Sequence, residues 1–120
     1  MSSHRVLSGL FLCSAALWLA SAAEHAEARP GYLRQFAKTY DGLAAEAKSE
    51  KCNVCHYGRS KKDMNDYGSA MKATLTKKNE RKAEEIEKAL KLIEDKESSV
   101  EGKTFGMLIA DGTLPGTAPE

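Results

Sequence analysis

Two cysteines three residues apart, with a histidine directly after the second, constrain this chain more than any other feature. They form the pentapeptide Cys52-Asn53-Val54-Cys55-His56. Cysteines at this spacing on a helical turn project their sulfur atoms along one side, and the imidazole follows within the same turn. The pattern is typical of metal sites, of dithiols and of covalent haem attachment. Each of these sites requires a different surrounding.

The N-terminal residues predict a signal peptide over residues 1–28. His4 and Arg5 precede an apolar run from Val6 to Ala20, and small residues follow it, which is the order found in secretory signals. Cleavage after residue 28 fits the small-x-small rule, and so does cleavage after residue 22 or 23. The run is shorter than the about 20 apolar residues that a bilayer span needs. We therefore expect a periplasmic or secreted protein without stable membrane insertion after signal cleavage.

The length allows one domain, predicted over residues 29–114, with a flexible tail over residues 115–120. The chain has 120 residues, of which 42% are hydrophobic and 29% are charged, a balance typical of a globular domain. Its net charge of +1 does not indicate a nucleic-acid partner. Basic residues outnumber acidic ones nine to three between residues 51 and 82, and acidic residues outnumber basic ones seven to three between residues 83 and 101.

Apolar residues recur at helical spacing through this domain. The spacing predicts one helix over residues 32–48, a second capped by Asn65 or Asp66, a third over residues 79–97 and a short fourth over residues 104–110. The expected fold class is all-α, a small bundle of three to four helices. Large apolar side chains are few for an independent core of this size. A flat apolar cofactor would supply the missing buried surface.

Three interpretations compete with haem attachment at the pentapeptide. A thioredoxin-like dithiol is expected within a βαβ surrounding, which the sequence does not predict. A structural zinc needs four protein ligands, and the processed chain offers Cys52, Cys55 and His56, with His25 added only if it survives processing. A disulfide between the two cysteines would close so short a loop that it stabilises little. We therefore favour a haem whose two vinyl groups each accept one thiol and whose iron binds the histidine.

With these residues the chain resembles the small exported monohaem c-type cytochromes. The resemblance rests on the pentapeptide, with a helix before it and helices and a late methionine after it. It implies a bundle around one covalently bound haem c, with Cys52 and Cys55 in thioether bonds and His56 as an iron ligand. It also implies that the His56 ring nitrogen that does not bind iron donates its proton to a backbone carbonyl. The chain lacks the proline that follows the motif in the better-known pattern.

Cytochromes of this kind usually bind iron with a methionine on the face opposite the histidine. Met107 is the predicted ligand, because the chain after His56 is long enough to return on the opposite face. Met64 would require a tight wrap, and Met71 could equally be a core residue. His25, a lysine or no sixth ligand are the remaining alternatives. Four further residues are expected to line the haem pocket: Leu33, Phe36, Tyr67 and Leu75.

The resemblance implies a one-electron carrier between redox partner proteins that is not itself an enzyme. The alternative is a haem-based ligand binder or sensor, which requires an open or weakly ligated sixth coordination site. Arg59, Lys61 and Lys62 follow the haem ligand closely, and we expect them to steer an acidic redox partner. An ordinary solvated loop explains this charge run equally well.

Overall fold

A computed structural model describes residues 30–120, and the predicted signal peptide over residues 1–28 falls outside that range. The described chain contains five α-helices and no β-strand, as expected for the all-α class. The helices are α1 (Pro30–Thr39), α2 (Ala44–Glu50), α3 (Asp66–Thr74), α4 (Ala83–Ile93) and α5 (Phe105–Ala110). Within this part of the chain, every helix is too short or too polar to cross a membrane.

The prediction of one continuous helix over residues 32–48 is wrong. The chain leaves the helical conformation at Tyr40, where φ is −120° and ψ is 71°, and passes through a 3₁₀ turn at Asp41–Leu43 before α2 begins. Tyr40 is buried, and its hydroxyl donates to the Leu90 carbonyl at 3.2 Å and to Glu94 at 2.8 Å. The break thus allows Tyr40 to reach α4 while Leu43 stays in the core.

Helix α3 begins at the residue that the sequence indicates. Asn65 is its N-cap, and the Asn65 side-chain oxygen accepts a hydrogen bond from the Gly68 backbone N–H at 2.9 Å. This bond satisfies one of the helix's unpaired N-terminal donors. The helix ends at Leu75, whose ψ of 130° is extended.

Helix α4 is shorter than the predicted span of residues 79–97. Of the five residues of its predicted apolar stripe, Ala83 is exposed and the other four are buried in the core: Ile86, Ala89, Leu90 and Ile93. The helix starts late because the Glu80 carboxylate accepts hydrogen bonds from the Arg81 and Lys82 backbone N–H groups, each at 2.9 Å. These bonds accompany an extended Lys82, whose ψ is 117°.

Helix α5 matches its prediction within one residue. The Thr104 hydroxyl caps it by accepting from the Met107 N–H at 3.2 Å. The chain turns away at Gly112, whose φ of 75° lies in the left-handed region that favours glycine. Helices α1 and α4 pack against each other, and edge-to-face aromatic contacts connect Phe36 to Tyr67 at 5.8 Å and Tyr67 to Phe105 at 5.2 Å between ring centroids.

The residues after α5, where the sequence predicts a flexible tail, contact the start of α3. Pro115 is fully buried. The Thr117 N–H donates to the Asp66 carboxylate at 2.6 Å, and the Asp66 N–H donates to the Thr117 carbonyl at 3.3 Å. The flexibility of residues 115–120 stays a prediction.

Candidate functional site

The cysteine pentapeptide folds as a single tight turn after α2. Lys51 has a φ of 52°, which redirects the chain at the end of α2 into a 3₁₀ turn over Lys51–Val54. The Cys52 carbonyl accepts from the Cys55 N–H at 3.2 Å and from the His56 N–H at 2.9 Å. Val54 points into the core with 3% of its surface exposed. Cys52 and Cys55, which are not joined by a disulfide, line the same cavity.

The His56 ring is held by the backbone. Its Nδ1 lies 3.2 Å from the Asp63 carbonyl oxygen. Because a carbonyl only accepts hydrogen bonds, Nδ1 carries the proton, and in the neutral imidazole Nε2 keeps its lone pair for another partner. The Asp63 carbonyl is therefore the backbone acceptor that the resemblance implies for His56. The loop that carries Asp63 turns at Gly58, whose φ is 65°, and not at the proline of the better-known pattern.

His56 and Met64 face each other across an isolated antiparallel bridge. The Asn65 N–H donates to the Cys55 carbonyl at 3.0 Å, and the Tyr57 N–H donates to the Asp63 carbonyl at 3.2 Å. Because these two bonds flank the pair, His56 and Met64 form a non-hydrogen-bonded pair of an antiparallel ladder. In such a pair the side chains project from the same face, and the Cα atoms lie about 4.5 Å apart. Met64 therefore lies on the same side of the site as the His56 ring.

A cavity of about 440 Å³ opens beside the pentapeptide. This volume lies within the range of small-molecule and cofactor sites. Cys52, Cys55 and His56 line it, and so do the four residues expected in the pocket: Leu33, Phe36, Tyr67 and Leu75. The sequence-predicted residues thus meet at one apolar site, drawn from α1, the pentapeptide turn and α3.

The three candidate methionines are placed differently. Met64 and Met71 line the cavity, and Met71 lies on α3 with 5% of its surface exposed. Met107 does not line the cavity and is 53% exposed. On the six-residue α5, Phe105 and Leu108 face the core, and Met107 lies on the other side. The structure therefore does not bring the predicted ligand Met107 to His56, and His25 falls outside the described residues.

One residue that lines the cavity carries a buried hydroxyl. Tyr67 has 0% of its surface exposed, and its hydroxyl makes no well-formed hydrogen bond to residues 30–120, although it interacts with the Tyr40 hydroxyl. Burial, with Tyr40 and Cys55 nearby, raises the pKa of Tyr67 well above its usual value. The Tyr67 hydroxyl is therefore a neutral group beside Tyr40, on a side chain that lines the apolar cavity.

The Cys55 thiol is not suited to thiolate chemistry. Burial raises the pKa of Cys55 to about 12, and the neighbouring Cys52 adds to the shift. Redox-active dithiols have a cysteine whose pKa is lowered to near 7 or below. In addition, the described residues contain no group of three or more His, Cys, Asp or Glu side chains arranged to hold a metal ion.

Asn65 joins the pentapeptide to α3. It is 3% exposed, and its side-chain nitrogen donates to the Val54 carbonyl at 3.1 Å while its oxygen caps α3. Gly68, one turn further, packs so closely on Cys55 that a Cβ atom there would overlap the Cys55 carbonyl. The sequence predicts the Asn65 cap of α3. It does not predict the bond from Asn65 to Val54, because the acceptor is a main-chain carbonyl, which every residue has.

Comparisons with models of protein families, with curated protein sequences and with solved structures found no match to this chain.

Proposed function

We propose that this chain is an exported monohaem c-type cytochrome that carries single electrons between redox partner proteins. One observation carries the proposal. His56 is fixed through Nδ1 to a backbone carbonyl, and it lines an apolar cavity together with both cysteines of the pentapeptide. An imidazole anchored in this way keeps its tautomer and ring angle and leaves Nε2 to bind a metal.

The residues around the cavity fit a haem c. Cys52 and Cys55 would hold it, since each S–H bond adds across one vinyl double bond to give a thioether without net oxidation or reduction. A thioether sulfur carries no charge and has no proton to lose, so the burial that raises the pKa of the Cys55 thiol costs nothing after attachment. Tyr67 lines the cavity, and its buried hydroxyl, which lacks a well-formed hydrogen bond in the described residues, would be available to the bound group. When bound, haem supplies an iron that alternates between two oxidation states.

Met71 is the methionine that the geometry favours as the second axial ligand. Met64 projects from the same face as His56, so it would meet the haem on the histidine side. Met71 comes from a different element, α3, and its side chain is buried at the cavity wall. If Met71 held the iron of a bound haem, its soft thioether sulfur would favour the reduced state and raise the reduction potential.

The test is to express the chain with a haem-maturation system and to examine the purified protein. We expect haem that survives denaturing electrophoresis and a low-spin spectrum in the reduced form. The oxidised form should show the sulfur-to-iron charge-transfer band. Colourless protein with two alkylatable thiols would refute haem attachment. A high-spin spectrum that shifts with carbon monoxide or cyanide would instead support a haem-based ligand binder or sensor.

A further inference from the structure

A tyrosine and a glutamate form a hydrogen-bonded pair between α1 and α4. Tyr40, which follows α1, has 8% of its surface exposed, and its hydroxyl donates to the Glu94 carboxylate at 2.8 Å. The second acceptor of this hydroxyl, the Leu90 carbonyl, lies further away at 3.2 Å. A hydroxyl has one proton, and a bond to an ionised carboxylate is the stronger of the two. The Tyr40 proton therefore lies on the bond to Glu94.

The protonation states of this pair allow a proton to pass from Tyr40 to Glu94. Burial, together with the hydrogen bond to Glu94 and the charge of Glu94, raises the pKa of Tyr40 well above its usual value, so the phenol is neutral at neutral pH. Burial of Glu94 opposes its ionisation, but hydrogen bonds from Lys91 and Tyr40 hold the pKa of Glu94 below its ordinary value. A neutral donor thus lies within the reach that a general base requires.

Glu94 also connects the pair to solvent. Its side chain is partly exposed and accepts from the Lys91 ammonium at 2.9 Å. The same ammonium lies over the Tyr40 ring, 5.0 Å from the ring centroid. A positive charge at this place opposes a second positive charge on the ring, so an electron that leaves Tyr40 leaves together with the hydroxyl proton. Of the other elements near Glu94, α3 contributes the titratable group of Tyr67, and α5 packs its Gly106 backbone on Glu94.

Aromatic rings connect Tyr40 to the cavity. The Phe36 ring contacts the Tyr40 ring with 5.1 Å between centroids and the Tyr67 ring with 5.8 Å. Phe36 and Tyr67 line the cavity, and Tyr40 lies behind them. Electrons pass readily between rings in van der Waals contact, so one ring contact separates Tyr40 from the cavity lining. An electron can thus leave Tyr40 toward the cavity while the proton leaves toward α4.

We propose that Tyr40 and Glu94 form a redox-active tyrosine site, an activity beyond the electron transfer proposed for a bound haem. A strong one-electron oxidant, such as a peroxide-derived radical or a ruthenium(III) complex, takes one electron from Tyr40. The O–H bond of Tyr40 breaks and an O–H bond forms on the Glu94 carboxylate. The products are a neutral tyrosyl radical, a neutral carboxylic acid and the oxidant reduced by one electron. Return of one electron and the proton restores the pair.

The first test identifies the residue that carries the radical. Light and pentaamminechlorocobalt(III) convert tris(bipyridine)ruthenium(II) to the ruthenium(III) oxidant beside the purified protein, with any haem kept oxidised, and freezing traps the radical for electron paramagnetic resonance. We expect a neutral tyrosyl signal that Tyr40→Phe removes and that the matched variant Tyr57→Phe retains. Tyr57 is a partly exposed tyrosine outside the hydrophobic core. A signal of unchanged shape and yield in Tyr40→Phe would overturn the proposal.

The second test shows whether Glu94 takes the proton. Glu94→Gln keeps an oxygen that accepts from the Tyr40 hydroxyl but is not a base, and it should lower the radical yield at least about tenfold. The matched control is Glu87→Gln, which removes the same charge from the same helix at a carboxylate that accepts from Gln35 at 3.4 Å. We expect less than about a twofold change there, because exposed charges are screened. An unchanged yield in Glu94→Gln, or an equal fall in both variants, would overturn the proposal.

A third measurement uses the wild-type protein without any substitution. In heavy water the Tyr40 hydroxyl carries a deuteron, and the rate at which the protein reduces the ruthenium(III) oxidant should fall by about twofold or more, because the deuteron moves in the same step as the electron. Equal rates in the two solvents would overturn the coupled transfer to Glu94. The ruthenium reagent needs no haem in the protein, so these tests stay decisive if haem attachment fails.

Discussion

His56 and Met64 are opposed across a single antiparallel bridge, so their side chains occupy the same face of the chain. The two axial ligands of a haem iron must approach from opposite faces of the ring. In the proposed haem site this relationship puts Met64 on the histidine side, although Met64 lines the cavity and is the methionine nearest to His56 along the chain.

The first prediction concerns the three methionines, each replaced by leucine, which keeps the volume without the sulfur. Met71→Leu should abolish the sulfur-to-iron charge-transfer band and lower the reduction potential, because the soft ligand that favours Fe(II) is lost. Met64→Leu should leave the band in place. Met107→Leu is the surface control, since that side chain is 53% exposed. Loss of the band in Met107→Leu with retention in Met71→Leu would show that α5 supplies the ligand.

The second prediction compares two buried tyrosines. Tyr67→Phe should shift the reduction potential of the haem-loaded protein, because the Tyr67 hydroxyl makes no well-formed hydrogen bond within residues 30–120 and belongs to a side chain that lines the cavity. Tyr40→Phe removes bonds to the Leu90 carbonyl and to Glu94 and an interaction with Tyr67, and it should lower the free energy of unfolding by about 2 kcal/mol with a smaller shift of the potential. The measurements are voltammetry and denaturant titration. An unchanged potential in Tyr67→Phe, with higher stability, would mean that the hydroxyl stays unpartnered in the loaded protein.

How much of this site is predictable from the sequence depends on whether a feature is local. The pentapeptide, the Asn65 cap and the apolar stripe of α4 follow from spacing along a few residues. The Asp63 carbonyl could not be predicted, because every residue carries a carbonyl and only the loop at Gly58 places this one beside His56. The position of Met107 could not be predicted for a related reason, since chain length alone allows it to reach the cavity, whereas the packing of Phe105 and Leu108 turns it outward.

The third prediction tests Asn65 as the connection between the pentapeptide and α3. Asn65→Ala should lower the free energy of unfolding of the haem-loaded protein by about 2–3 kcal/mol, because a helix cap is lost and the buried Val54 carbonyl loses a donor. Thr104→Ala is the control, since Thr104 caps α5 and its loss should cost about 1 kcal/mol. Chemical denaturation followed by circular dichroism measures both. Equal losses would show that the bond to Val54 contributes nothing.

The fourth prediction uses two glycines in different surroundings. At Gly68 a Cβ atom would overlap the Cys55 carbonyl, whereas at Gly42 it would meet no atom within 4 Å. Gly68→Ala should cost about 1–3 kcal/mol of stability, because α3 must move away from the pentapeptide, and it should also alter the haem spectrum. Gly42→Ala should be neutral or stabilising by up to about 1 kcal/mol. If Gly68→Ala matched Gly42→Ala in both measurements, α3 would not be packed against Cys55 as described.

The fifth prediction concerns pH and Glu80. Hydrogen bonds from the Lys82 and Arg81 backbone N–H groups lower the pKa of the Glu80 carboxyl below its ordinary value of 4.5. The positive charges of Lys77 and Lys82 lower it further. A carboxyl whose pKa is lower in the folded state stabilises the fold above its unfolded pKa and loses this effect as the pH falls through its folded pKa. The wild type should therefore melt at a higher temperature than Glu80→Gln at neutral pH, and the difference should shrink as the pH drops below about 4.5.

Glu101→Gln, which removes an exposed carboxylate outside the helices, corrects for the loss of one negative charge. A melting difference that persisted unchanged at low pH would show that the Glu80 side chain acts through packing and not through its ionised hydrogen bonds.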